Sequence, residues 1–356
     1  MKKKKLVLSI LFFIALLGAT YYFIFSKYDF NEVISNLKLM NPFWIGVAVS
    51  FLVLYFLCQA FYFKVIYRSM NERVSVFKCY FYSIIEFFFS GITPSASGGQ
   101  PVQLIYMSKD GIPMRKSMIA LLLNLILFKL FNVTAGILIL ILTPTYVFDH
   151  GQVITVLFWA GLIYDLIIVF LTLGVMFNKR MVRFVVKLAT AFIKMFRKKK
   201  QDQLHEKINE ALEKYLEEAE YVKQHVWTLL FGMIITFVQR VLMFSIVFTI
   251  YRGFGNHDVP YYELLLMQIF FQITVEAIFL PGGTGVIELV NNKLLIAAFG
   301  GLSASAMLLN RALTFYIPLI VILIAYLIIN FFCYKLKGKN GGVIIKGEKH
   351  GKARQS

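Results

Sequence analysis

The chain has 356 residues, 59% of them hydrophobic and 16% charged, and a net charge of +18. Several apolar runs reach the roughly 20 residues that a spanning helix needs, which excludes a soluble globule and points to an all-α, polytopic membrane bundle. The excess of Lys and Arg would suggest nucleic acid in a soluble protein, but here it is distributed as membrane topology distributes it, and no nucleic-acid partner is expected.

The first run, Leu6 to Phe25 behind Lys2 to Lys5, is longer than a signal-peptide core of about 7–15 residues and lacks an A-x-A cleavage pattern. It reads as an uncleaved span. An outside connection, Ser26 to Asn41, leads to a second span from Pro42 to about Ile66 and then to the basic loop Tyr67 to Lys78.

The next segment cannot be an ordinary span. Tyr80 to Phe89 is apolar, but Gly91 to Met107 (GITPSASGGQPVQLIYM) holds two prolines, three glycines and a run of hydroxyl and amide side chains. Backbone at membrane depth must be satisfied internally, so such a break belongs only where it is buried in protein or lines a polar cavity. Each limb is too short to cross a core about 30 Å thick at 1.5 Å per residue, so the stretch reads as a re-entrant hairpin returning to Lys109, Asp110, Arg115 and Lys116.

Ser117 to Leu142 and Val153 to Phe177 cross out and back. Asn178 to Gln224 forms a cytoplasmic insertion with a basic amphipathic half and a Glu-rich half, suited either to anionic headgroups or to service as a solvated connector. Val226 to Ile250 crosses again. Leu264 to Leu280 then enters from the outside, breaks at LPGGTGVIE (Leu280 to Glu288), and returns through Phe299. The last span, Ser303 to Tyr334, ends the membrane domain (1–334), and a basic tail follows (335–356). With both N- and C-termini cytoplasmic, only Lys27, Lys38 and Arg252 fall in outside loops, whereas single crossings at the two breaks would place the basic insertion outside. One hairpin thus enters from each side, as in an inverted repeat, and paired interruptions of this kind are a sequence pointer to a transport site.

Two groups of residues carry the chemistry. At the tips, Ser95, Ser97, Gly98, Gly99 and Gln100, with Gly282, Gly283, Thr284 and Gly285, are candidates to hold a phosphate headgroup, each tip opening a helix whose free N–H groups suit an anion. The competing reading is close helix packing through small residues. Within the apolar runs, Glu86, Lys129, Asp165, Arg240, Glu276, Glu288, Lys293 and Arg311 are charged, at a cost of about 2.5 kcal/mol or more each near the bilayer centre. Lys129 and Asp165, midway along consecutive spans, are the first expected pair. Arg240 and Arg311 are expected to serve Glu276 or Glu288, or to bind phosphate. Structural ion pairs holding helix register are the plainer alternative.

No catalytic residue, metal site or cofactor is expected: the chain has no G-x-x-x-x-G-K-[ST], H-E-x-x-H or D-x-D, the five histidines avoid the apolar runs, and the three cysteines are scattered.

The TPSASGGQP and LPGGTGVIE stretches, within this pattern of spans, resemble the flippase-like membrane domain of bacterial lysylphosphatidylglycerol synthases and its stand-alone homologues. The resemblance implies a plasma-membrane lipid translocase acting on an anionic or aminoacylated phospholipid, without the separate cytoplasmic domain that transfers lysine from its tRNA. A transferase or envelope-assembly partner is the corresponding expectation. Gln100 stands where the family often has Glu, which leaves the headgroup open. The rival readings are a phosphatidylglycerol lysyltransferase component and a non-transporting scaffold for envelope assembly.

Overall fold

The computed structural model describes residues 30–93, 98–184, 187, 225–278 and 286–325. The described residues are helical throughout, with no strands. A short helix α1 (Phe30–Lys38) occupies part of the expected outside connection and precedes α2 (Pro42–Ser69). Asn41 caps α2, its Oδ1 accepting from the Phe43 N–H at 3.0 Å, and Pro42 takes the first helical position, where its missing N–H costs nothing. There follow α3 (Val76–Gly91), α4 (Gly99–Lys109), α5 (Met114–Leu142), a five-residue α6 (Pro144–Phe148) inside what reads as a loop in the sequence, and α7 (Gln152–Phe177). After the insertion come α8 (Val226–Phe244), α9 (Ile246–Gly253), α10 (Tyr261–Val275), α11 (Val286–Phe299) and α12 (Ser303–Arg311). Among the described residues, five runs are long and apolar enough to cross a membrane: α2, α5, α7, the α8–α9 pair, and Val286–Ala325. The first expected span, the hairpin tips, most of the insertion and the tail lie outside the described residues.

The long helices are apolar all round, and burial tells their two faces apart. Along α7, Phe158, Leu162, Asp165, Val169, Thr172 and Met176 are buried, whereas Val156, Trp159, Ile163, Ile167 and Phe170 are exposed. Both sets repeat every three or four residues, so one stripe faces the bundle and the other faces outward as lipid-facing surface would. Hydroxyls inside these helices bond back to the preceding turn: Ser83 to Cys79 O, Thr236 to Gly232 O, Thr274 to Phe270 O and Thr314 to Asn310 O. Each of these four hydroxyls thereby meets its own helix rather than the apolar surround.

α2 runs the length of the bundle, about 42 Å at 1.5 Å per residue over its 28 residues. It packs against α8, and a Gln59–Gln239 hydrogen bond joins the two at depth. At its first end the Asn41 N–H donates to Gly253 O at 2.9 Å; at its last end the Tyr67 hydroxyl donates to Ser117 Oγ at 3.4 Å. This second end is basic, with Arg68, Arg73, Lys78, Lys109, Arg115, Lys116, Lys179 and Arg180.

α3 and α4 pack as a helical hairpin whose open end lies at this basic end, where Asp110 accepts from the Tyr82 hydroxyl at 2.5 Å and pairs with Lys78 at 3.7 Å. α4 closes through Gly111 at φ +88°, which lets the Ile112 N–H reach Met107 O and the Gly111 N–H reach Ser108 O, and so turns the chain into α5. α10 and α11 form a second packed pair that opens at the opposite end of α2. Tyr251 on α9 marks that end, its hydroxyl accepting from the Val259 N–H at 3.0 Å and its ring 5.2 Å from that of Phe299.

The last span is not a plain helix from Ser303. A 3-10 turn (Gly300–Leu302) joins α11 to α12, and a π turn (Ala312–Tyr316) interrupts the continuation into 317–325.

Candidate functional site

Three helix faces converge on one buried point. α5 contributes Lys129, Asn132 and Gly136; α7 contributes Phe158, Gly161 and Asp165; α10 contributes Phe270 and Ile273 and leads directly into Glu276. Spacings of three and four residues put each set on one stripe. The helices meet closely because two of those positions have no side chain. A Cβ on Gly161 would lie 1.8 Å from Ile273 O, and one on Gly136 would lie 2.8 Å from Leu162 Cδ1. One turn away, the Phe158 and Phe270 rings stack with centroids 4.8 Å apart.

At that point Lys129 Nζ lies 2.6 Å from Asp165 Oδ1 and 2.5 Å from Glu276 Oε2. Asn132 Nδ2 donates to Asp165 Oδ2 at 2.9 Å and to Glu276 Oε1 at 3.3 Å, and Gln272 Nε2 donates to Glu276 Oε1 at 2.7 Å. All four carboxylate oxygens are therefore occupied, and the Lys129 and Asp165 side chains are 5% and 0% exposed. Lys129 and Asp165 each fall at the midpoint of their helices, which is bilayer-centre depth for spans of this length. The expected pair is thus a triad with Glu276. Asn132 and Gln272 were not among the sequence candidates; the readable signal was a polar side chain one turn from an intramembrane charge.

Arg240, midway along the α8–α9 span, does not serve Glu276 or Glu288. Glu276 is taken by Lys129, and Glu288 by Arg311, whose Nε is 3.1 Å from Glu288 Oε1; the Tyr316 hydroxyl reaches the same oxygen at 2.8 Å. Arg240 instead lies over Phe128, 3.8 Å from the ring centroid, and beside Tyr55 at 5.7 Å. Among the described residues no carboxylate comes within ion-pair distance of it, and its Nε is buried without a hydrogen-bond partner. Lys129 Nζ is 5.1 Å from the same Phe128 ring, so Arg240 and the triad's lysine border one aromatic side chain.

Glu86 belongs to the first hairpin. It accepts from Ser90 Oγ at 2.8 Å, and a Cβ on Gly99 would lie 2.0 Å from Ser90 Oγ and 2.6 Å from Glu86 O. Gly99 therefore allows the returning limb to touch the entering one beside Glu86. The Gly98 N–H donates to Thr93 Oγ1 at 2.9 Å, so one amide at the start of α4 is already satisfied by the chain itself. Gln100 follows, half-buried, in the first turn of α4. Ser95 and Ser97, and the second-tip candidates Gly282, Gly283, Thr284 and Gly285, lie outside the described residues.

The family model for the lysylphosphatidylglycerol synthase TM region matches residues 6–322, most of the chain and both breaks. The chain belongs to that family. A search of curated proteins finds no match. Membership in the lysylphosphatidylglycerol synthase TM family, together with the five apolar runs, makes this a multi-pass membrane protein and places it with lysylphosphatidylglycerol-related lipid handling. The described part of the domain offers no group of three or more His, Cys, Asp or Glu that could hold a metal ion.

Proposed function

We propose that the chain is a lipid translocase that moves a phosphate-bearing phospholipid, anionic or aminoacylated as in lysylphosphatidylglycerol, between the leaflets of a bacterial plasma membrane. The observation that carries this reading is Arg240: a guanidinium at mid-span, bordered by Phe128 and Tyr55, with no carboxylate of the described residues in ion-pair range and a buried, unpartnered Nε. Charge at that depth is costly and is retained where it meets a partner, and a guanidinium is suited to a phosphate. The headgroup would be held beside Arg240, between α8 and α2, which carries Tyr55. Replacing Arg240 by Gln removes a charge-assisted contact of about 1.5–3 kcal/mol, and movement of a headgroup-labelled anionic phospholipid in proteoliposomes should slow about tenfold or more, with the melting temperature little changed. A flip rate in the variant equal to that of the parent would remove the headgroup site from Arg240.

On this reading α3–α4 and α10–α11 are re-entrant hairpins entering from opposite faces, an inverted pair with both termini cytoplasmic. Charge asymmetry supports the assignment. Single cysteines at Ser75 and Lys109 should then label from one side of the membrane only, the cytoplasmic one. Labelling of the two from opposite sides would mean that this segment crosses.

A further inference from the structure

We propose that the Lys129–Asp165–Glu276 cluster is a proton-binding site that takes up one proton per chain, shared between the two carboxyl groups. The inference goes beyond the translocase reading and stands whether or not a lipid moves.

Charge is the first argument. One ammonium faces two carboxylates within 2.6 Å, so one negative charge is left over at the midpoint of two spans. The other charged or titratable groups facing the cluster do not cancel it. Tyr164 presents its ring to Lys129, 4.9 Å from Nζ. Arg240 borders Phe128 and makes no ion pair with Asp165 or Glu276. Asn132 and Gln272 are neutral. Glu276 also stands at the C-cap of α10, the negative end of a helix, where a carboxylate is disfavoured. Two like charges sharing one site, in surroundings that favour neutrality, are relieved by a single proton.

The geometry selects a proton over a metal ion. Lys129 Nζ already fills the space between Asp165 Oδ1 and Glu276 Oε2, and the other two oxygens are bridged by one amide nitrogen. A proton needs no further room. Asn132 supplies the means of accommodating it: the residue is 1% exposed, and its Oδ1 is buried with no partner. As it stands, the amide donates to two ionised carboxylates. Turned over within the same outline, it offers Oδ1 as acceptor to a carboxyl O–H. The turn gives up one amide donation to a carboxylate, so hydrogen bonding favours the ionised state and it is the surplus charge that favours uptake.

The test is infrared difference spectroscopy on the full chain in detergent or lipid, following the carboxylic-acid C=O band as pH is raised, with proton release counted by an indicator dye. The parent should show a protonated carboxyl that is lost with release of one proton. Glu276→Gln and Asp165→Asn each leave one carboxylate against one lysine, and each alone should abolish that band; both bring the cluster to neutrality, so both should fold. Glu86→Gln should leave it intact. Absence of the band in the parent, or its survival in both cluster variants, would overturn the proposal. So would its loss in only one of them, which marks a single isolated acid, or its loss on adding sodium at constant pH, which marks a metal-ion site. Lipid movement is not part of the readout, so a failure of the translocase reading would leave this result standing.

Discussion

Lys129→Met should be the most damaging single change in the buried triad, at about 3–5 kcal/mol, because it leaves two carboxylates with no counter-charge in a site closed to water. Changing Asp165 to Asn at the same time, which would repair a simple pair, leaves Glu276 behind and should restore only part of the loss. Glu276 accepts from Lys129 at 2.5 Å and keeps only amide donors once the lysine is gone. Lys129→Met with Asp165→Asn and Glu276→Gln should recover most of the stability, since a network without charges costs less than one with an orphan. Thermal melting in detergent, read by size-exclusion chromatography of the heated protein, measures all three. Ile163→Ala, at an outward position 52% exposed, is the control. If Lys129→Met melts with that control, the lysine does not hold the carboxylates.

Gly161→Ala should cost about 2 kcal/mol or more, although alanine is the better helix former by about 1 kcal/mol. The added methyl would sit 1.8 Å from the backbone carbonyl oxygen of Ile273, and a backbone atom cannot rotate aside as a side chain can. α10 would have to move away from α7, drawing Glu276 with it and lengthening its contacts to Lys129. Gly46→Ala isolates the propensity term, since its Cβ would meet nothing within 4 Å and the change should be neutral or stabilising. Equal melting temperatures for the two variants would show that α7 and α10 are not held at the separation described.

The spans were legible because run length and charge position are local properties: α2, α5 and α7 begin and end within a few residues of where the apolar runs do. Lys129 with Asp165 was legible for a related reason, two opposite charges at the middle of adjacent spans. Glu276 was not, because it sits beside a chain break 147 residues from Lys129, and nothing in the local pattern says which helix it will meet. Gly161 carries no mark in the sequence, its meaning depending on Ile273, which belongs to the other half of the chain. Arg240, expected to serve Glu276 or Glu288 or to bind phosphate, pairs with neither glutamate, each of which has another cation. Sequence proximity does not decide that choice; the packing of α8 on α2 does.

The distance along the chain between Lys129 and Glu276 also sets the order in which the site comes into being. At about 5–20 residues per second, 147 residues take roughly 7–30 s to synthesise. Once Asp165 has been made, 36 residues into that interval, the nascent chain can hold Lys129 against it, a one-to-one pair with no net charge, which is the form cheapest to place in a bilayer. Glu276 is made last and arrives at a cavity whose lysine is already engaged. The surplus charge is therefore introduced only when α10 docks, after the early helices have been committed to the membrane, so the ribosome delivers the costly part of the cluster to a scaffold already able to receive it.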